Sequence, residues 1–214
     1  MRFLFDPDSQ IMRFLARLAD LVILNVVFLF TCLPLFTIGA AVSALYSVVF
    51  AMDTQREGKT LSAYFRAFRD NFRQGAAIFG ILALFGAASC VNMTLFSDMG
   101  GMVGFLLFLI AMLVLVMTVL IASFVFPLLS RFRNTVASML RNALLLSVSH
   151  LPRALLAGVI NAFPWVLMLV NFYAFLRLGI LWFSLYFSAA AYYNSRLLKK
   201  VFDPLEEASE QQPQ

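Results

Sequence analysis

Apolar positions run along this chain in long blocks. No charged residue occurs in 21–52, 74–97, 99–130, 154–176 or 178–195. Crossing a hydrocarbon core of about 30 Å takes roughly 20 helical residues at 1.5 Å each. Residues 74–97 and 99–130 therefore each predict one membrane-spanning helix, separated by the breaker cluster Ser97-Asp98-Met99-Gly100-Gly101. The stretch 154–196, interrupted by Arg177, is too long for one helix. It predicts two spans that turn near 171–177.

Residues 21–52 admit three arrangements. As one helix they would run about 48 Å, but Pro34 sits near the middle, followed by Thr37 and Gly39. Proline removes an intrahelical hydrogen bond and pushes its predecessor away from the α region. Thr37 is then placed to cap a new helix from Ile38. The candidates are a hairpin of two short spans, a re-entrant pair and one kinked helix. Charge placement favours the hairpin, because short loops on the inner face carry the Lys/Arg excess. Basic residues flank the first block (Arg2, Arg13, Arg17), fill 53–73 (Arg56, Lys59, Arg66, Arg69, Arg73) and 131–153 (Arg131, Arg133, Arg141, Arg153), and follow the last block (Arg196, Lys199, Lys200). With the hairpin, fifteen of the sixteen basic residues share one face, Arg177 being the exception. Leu35, Asp98 and Phe172 then belong outside, and Glu57 and Asn134 inside.

The predicted fold is thus an all-α, polytopic membrane helical bundle. Its roughly six hydrophobic segments fall at about 18–36, 38–53, 74–96, 102–129, 154–171 and 177–195, the first pair short and with a re-entrant arrangement as its alternative, in a single domain over 1–200, followed by a disordered acidic tail over 201–214. Multi-pass placement in a bacterial cell membrane, with both termini cytoplasmic, goes with it. Two connectors are amphipathic. Leu61, Tyr64, Phe65, Phe68 and Phe72 recur at helical spacing opposite Arg66, Arg69 and Arg73, the pattern of a helix lying in the interface plane. Val136, Met139, Leu140 and Leu144 give the second connector an apolar face. An N-terminal helix capped by Asp8 or Ser9 leads into the first segment.

Composition agrees with this picture. Of 214 residues, 62% are hydrophobic and 13% charged, against about 45–50% apolar and 25% charged in soluble domains. The net charge of +5 is explained by membrane topology and by anionic lipid heads, so no nucleic-acid partner is inferred. Cys32 and Cys90 read as small buried hydrophobes near one membrane face, a bridge between them being the lesser reading.

Candidate chemistry is sparse. No ionisable residue falls at predicted mid-depth, where one would mark function. Asp20 lies at the inner end of the first segment, Arg177 at the outer end of the sixth, and His150 at the inner boundary. His150 and Asp20 are the one pair an enzyme could use, and nothing in their spacing brings them together. No catalytic, cofactor-binding or metal-binding residue is assigned, no cofactor is expected, and the chain reads as a non-enzyme. A small carrier or channel subunit is the alternative. It would need a polar cavity lined by Asn25, Asn92 or Asn161.

Asn25, the run Leu33-Pro34-Leu35-Phe36-Thr37-Ile38-Gly39-Ala40-Ala41 with Ala44-Leu45-Tyr46, and Tyr64-Phe65 through Asn71-Phe72-Arg73-Gln74 together form a recognisable pattern. On these residues the chain resembles the YesL-like family of bacterial membrane proteins, described mainly as a domain of unknown function, from about Phe5 to Leu198. Members often stand beside genes for carbohydrate-uptake transporters and polysaccharide-degrading enzymes. The resemblance implies a non-enzymatic accessory role in oligosaccharide uptake or sensing, with the lipid bilayer and the permease subunits of a sugar-uptake transporter as partners. It carries no catalytic mechanism and no functional residue.

Overall fold

The computed structural model describes residues 10–52 and 60–210, and it is helical throughout its long elements. The caps expected at Asp8 or Ser9, and the connector residues Arg56, Glu57 and Lys59, lie outside the described residues. Helix α1 covers Gln10–Cys32, and a short 3-10 turn at Leu35–Thr37 leads into α2, Ile38–Ala51. Then come α3 (Thr60–Met99), α4 (Gly101–Arg131), α5 (Val136–Ser149) and α6 (Leu151–Val170). The short α7 (Phe172–Arg177) and α8 (Gly179–Leu181) precede a π-helical turn, Trp182–Tyr186, and α9, Phe187–Glu210.

The all-α bundle and its membrane character are as the sequence predicts. Among the described residues, four segments are long and apolar enough to cross a bilayer: Phe14–Cys32, Thr60–Met99, Gly101–Arg131 and Leu151–Val170. The α3–α4 turn is made by Gly100 and Gly101, with φ of 64° and 68°, values that favour glycine because a Cβ would clash there.

Four expectations need correction. First, α3 is one uninterrupted helix of 40 residues, about 60 Å long. The amphipathic segment 61–73 is its first third, collinear with the span. It does not lie separately in the interface plane, because residues 60–74 contain no proline or glycine to bend the helix.

Second, the turn at 33–37 is not on the far side of the membrane. The ring of Phe36 meets that of Phe72, with centroids 6.3 Å apart. The Thr31 hydroxyl lies 2.6 Å from that of Tyr64. The backbones of α2 and α3 touch where Gly39 meets Gly75: a Cβ on Gly39 would fall 2.0 Å from the Gly75 carbonyl oxygen. Gly75 is 24 residues before Met99, about 36 Å along one helix. A full hydrocarbon thickness therefore separates the turn from Gly100. Leu35 belongs with the arginines of α3, not with Asp98. Counting loop charges assigns sides to loops that carry charge, and 33–37 carries none.

Third, α2 has 14 residues, about 21 Å, too short to cross. It is the hub of the bundle. Gly39–Ala41, Ser43–Tyr46 and Val48–Val49 are buried, against Leu24 and Phe28 of α1, Tyr64 of α3 and Ala191 of α9. Thr37 does stand at its N-cap, but its hydroxyl donates backward to the Thr31 and Pro34 carbonyls and closes the turn.

Fourth, the disordered tail expected from 201 does not describe residues 201–210, which continue α9. Phe202 is fully buried, and Asp203 and Glu206, three residues apart, both face Arg131. Residues 211–214 lie outside the described residues.

Candidate functional site

Two polar clusters hold the helices together inside the apolar core. At the first, Asn25 is fully buried beside the π turn. A π turn shifts the hydrogen-bond ladder by one residue and leaves backbone groups without their usual partners. The Asn25 amide supplies them. Its Nδ2 donates to the carbonyls of Trp182 (3.0 Å) and Phe183 (2.9 Å), and its Oδ1 accepts from the Ser188 N–H (3.0 Å). The Ser188 hydroxyl donates to the Leu21 carbonyl at 2.7 Å. Trp182, nearly buried, donates its indole N–H to the Phe175 carbonyl.

At the second, Asn194 Nδ2 donates to Asn161 Oδ1 (3.0 Å) and to the Tyr46 hydroxyl (3.3 Å), joining α9, α6 and α2. The Asn194 Oδ1 is buried and has no hydrogen-bond partner in the structure. Of the three asparagines expected to line one cavity, Asn25 and Asn161 are thus in separate clusters. Asn92 is exposed on α3. Asn194 and Tyr46 were the missing partners. The signal in the sequence is a further asparagine, Asn194, near the end of the uncharged run 178–195.

The other singled-out residues stay apart. His150 stands at the α5–α6 junction, its Nδ1 buried and unpartnered. Asp20 is on α1, and no ion pair joins it to His150. Cys32 and Cys90 are free thiols. Cys32 is beside the 33–37 turn, whereas Cys90 is 15 residues beyond Gly75 on α3, about 22 Å further along, so they do not share a level. Among the described residues, no group of His, Cys, Asp and Glu could hold a metal ion.

The third feature is the arginine-rich end. Arg131, in the last turn of α4, is held from three directions. Its Nε and Nη2 form a fork onto Glu206 at 3.1 and 2.6 Å, and its Nη1 meets Asp203 at 2.8 Å. Its guanidinium lies over the Phe50 ring, 5.0 Å from the centroid. One side chain thus ties α4 to α9 and α2, with the planar fork suited to a carboxylate. Beside it a groove of about 480 Å³ opens between the ends of α2 and α4 and the first half of α3. Arg66, Arg69, Asp70 and Arg73 are exposed along α3, so this end of the helix is a polar, positively charged ridge.

Residues 21–93 match the family model described as "Protein of unknown function, DUF624", in agreement with the YesL-like resemblance. The matched stretch runs from the second half of α1 through the 33–37 turn and α2 into α3. No curated protein and no solved structure matches the chain.

Proposed function

We propose that this chain, a multi-pass membrane protein with an uncharacterised family's pattern at its packing hub, acts without chemistry of its own. It serves as an accessory protein of an oligosaccharide-uptake transporter in the bacterial cell membrane. The arginine-rich end faces the cytoplasm in this reading, in keeping with the inside excess of basic residues, and the C-terminal end of α9, tied to Arg131, belongs there. Helix α1, which enters the 33–37 turn after 23 helical residues, carries the N-terminus toward the opposite face, against the expectation that both termini are cytoplasmic. The observation that carries the proposal is the use of polarity. Asn25, Ser188, Asn161, Asn194 and Tyr46 are engaged in joining helices to one another. The outer parts of α3 and α4 expose large side chains such as Leu84, Phe85, Leu95, Val103 and Leu106. Such a molecule is suited to bind other helices and lipid. The family resemblance points to permease subunits as those helices.

The test is affinity capture from gently solubilised membranes of cells grown on the inducing oligosaccharide, read for the permease subunits specifically. Their recovery with the wild-type chain, and loss when the exposed α3 and α4 residues are altered, is the expected result. Absence of every transporter component under uptake conditions contradicts the reading.

A second reading, a small carrier or channel subunit, draws on one observation, the buried and unpartnered Asn194 Oδ1 beside Asn161 and Tyr46. It requires solute flux through liposomes holding the purified chain, abolished by Asn194→Leu.

A further inference from the structure

The groove at the arginine-rich end is built for more than holding α4 to α9. It lies between the end of α2, the first half of α3 and the end of α4. Three arginines and one aspartate line it (Arg66, Arg131, Arg133 and Asp70), with Asn71 and Ser47 as uncharged polar neighbours. Arg131 is answered by Asp203 and Glu206, which do not line the groove. Arg66 and Arg133 have no acidic partner among the described residues, and Asp70, one turn beyond Arg66 on α3, pairs with neither. Arg133 is on the short connector after α4, where Phe132 is already extended, so its direction is not set by a helix. The carbonyl ends of α2 and α4 point the same way and offset part of the positive charge. Among the described residues, what remains is one net positive charge, which suits a ligand of one negative charge.

Depth narrows the ligand further. Gln74 begins the uncharged part of α3 and reaches the Asn134 carbonyl beyond the end of α4. Arg66 and Asp70 are one to two turns further out. The groove is therefore at headgroup level, and Leu33, Leu35, Phe36 and Phe65 present exposed apolar side chains at the same end of the bundle. Basic pockets between helices at this depth hold anionic headgroups, and a volume of this order accommodates a small ligand.

We propose that this groove binds the monoanionic phosphodiester headgroup of an anionic phospholipid. Arg66 and Arg133 clamp the phosphate, and Asn71 and Ser47 serve the hydroxyls of a glycerol-type head. Bound lipid would then cement α2, α3 and α4 together.

The test uses the full chain purified in mild detergent and titrated with phosphatidylglycerol or phosphatidylcholine, bound lipid being counted by native mass spectrometry. Phosphatidylglycerol is expected to bind selectively and to raise the thermal midpoint of the wild-type protein. Arg66→Gln with Arg133→Gln should weaken binding roughly tenfold or more, the size expected for two charges facing an anionic surface. Arg69→Gln with Arg73→Gln removes the same charge from the outer ridge and should change binding less than about twofold if the groove, not the overall charge, is the site. Equal losses in the two double variants, equal binding of phosphatidylcholine, or full competition by millimolar inorganic phosphate would each overturn the assignment. If the groove variant does not fold, an unchanged wild-type midpoint with phosphatidylglycerol overturns it instead.

Discussion

Two glycines on one helix measure how differently the halves of this molecule are built. At Gly75 a Cβ would fall 2.7 Å from the Ala40 backbone nitrogen, whereas at Gly80, five residues further along α3, it meets nothing within 4 Å. The half around α2 is packed on every side: Tyr64, Phe124, Phe202, Leu24 and Val48 are fully or almost fully buried there. The half formed by the rest of α3 and the start of α4 exposes Leu84, Leu95, Met102 and Phe105. The more apolar helix is thus the less buried one. In water this would be untenable. In lipid the hydrocarbon chains solvate large apolar side chains, and helices are held together by close backbone approach and interhelical hydrogen bonds. Small residues and asparagines consequently mark the packed half, and bulky leucines the other.

The sharpest way to break this contrast is at Gly39. Gly39→Val puts side-chain atoms into the Gly75 carbonyl, where backbone cannot move aside. It should destabilise by at least about 3 kcal/mol, at or beyond the top of the usual overpacking range, and the protein should lose its monodisperse elution in detergent. Next comes Asn25→Leu. It leaves the Trp182 and Phe183 carbonyls and the Ser188 N–H without the amide that serves them, and about 2 kcal/mol should be lost, read as a lower thermal midpoint. Arg131→Gln removes the fork onto Glu206 and the contact with Asp203. Both carboxylates are more than a third exposed, so the loss should be only about 1 kcal/mol and should shrink in high salt. The smallest effect belongs to Gly80→Ala, within about 0.5 kcal/mol of wild type. If Gly80→Leu proved as damaging to the purified protein as Gly39→Val, the difference in packing between the two halves would not hold.

Much of this contrast was legible in the sequence. Uncharged runs mark α3, α4 and α6, Pro34 marks the break, and Gly100-Gly101 marks the outer turn. The depth of the break was not legible. Leu33-Pro34-Leu35-Phe36 carries no charge, so the rule that sorts loops by charge had nothing to act on there. Its level is fixed by Phe36 on Phe72 and Gly39 on Gly75, contacts between segments over 30 residues apart. The α9 extension was hidden for a related reason. Asp203-Pro204 followed by acidic residues reads locally as the end of order, and only Arg131, some 70 residues away, makes those acids part of the bundle. The π turn leaves no periodic trace at all. Of the candidate site, the arginines were visible one by one. That Arg66, Arg131 and Arg133 line one groove depends on α2 folding back along α3.

The central claim is the level of the 33–37 turn, and sided thiol labelling in intact cells tests it most directly. In a background with Cys32 and Cys90 replaced by alanine, single cysteines at Leu35, Arg69 and Asp98 would be exposed to a membrane-impermeant maleimide. The account predicts labelling at Asp98→Cys alone, with Leu35→Cys and Arg69→Cys reacting only after the membrane is opened. Labelling of Leu35→Cys together with Asp98→Cys, while Arg69→Cys stays protected, would contradict it.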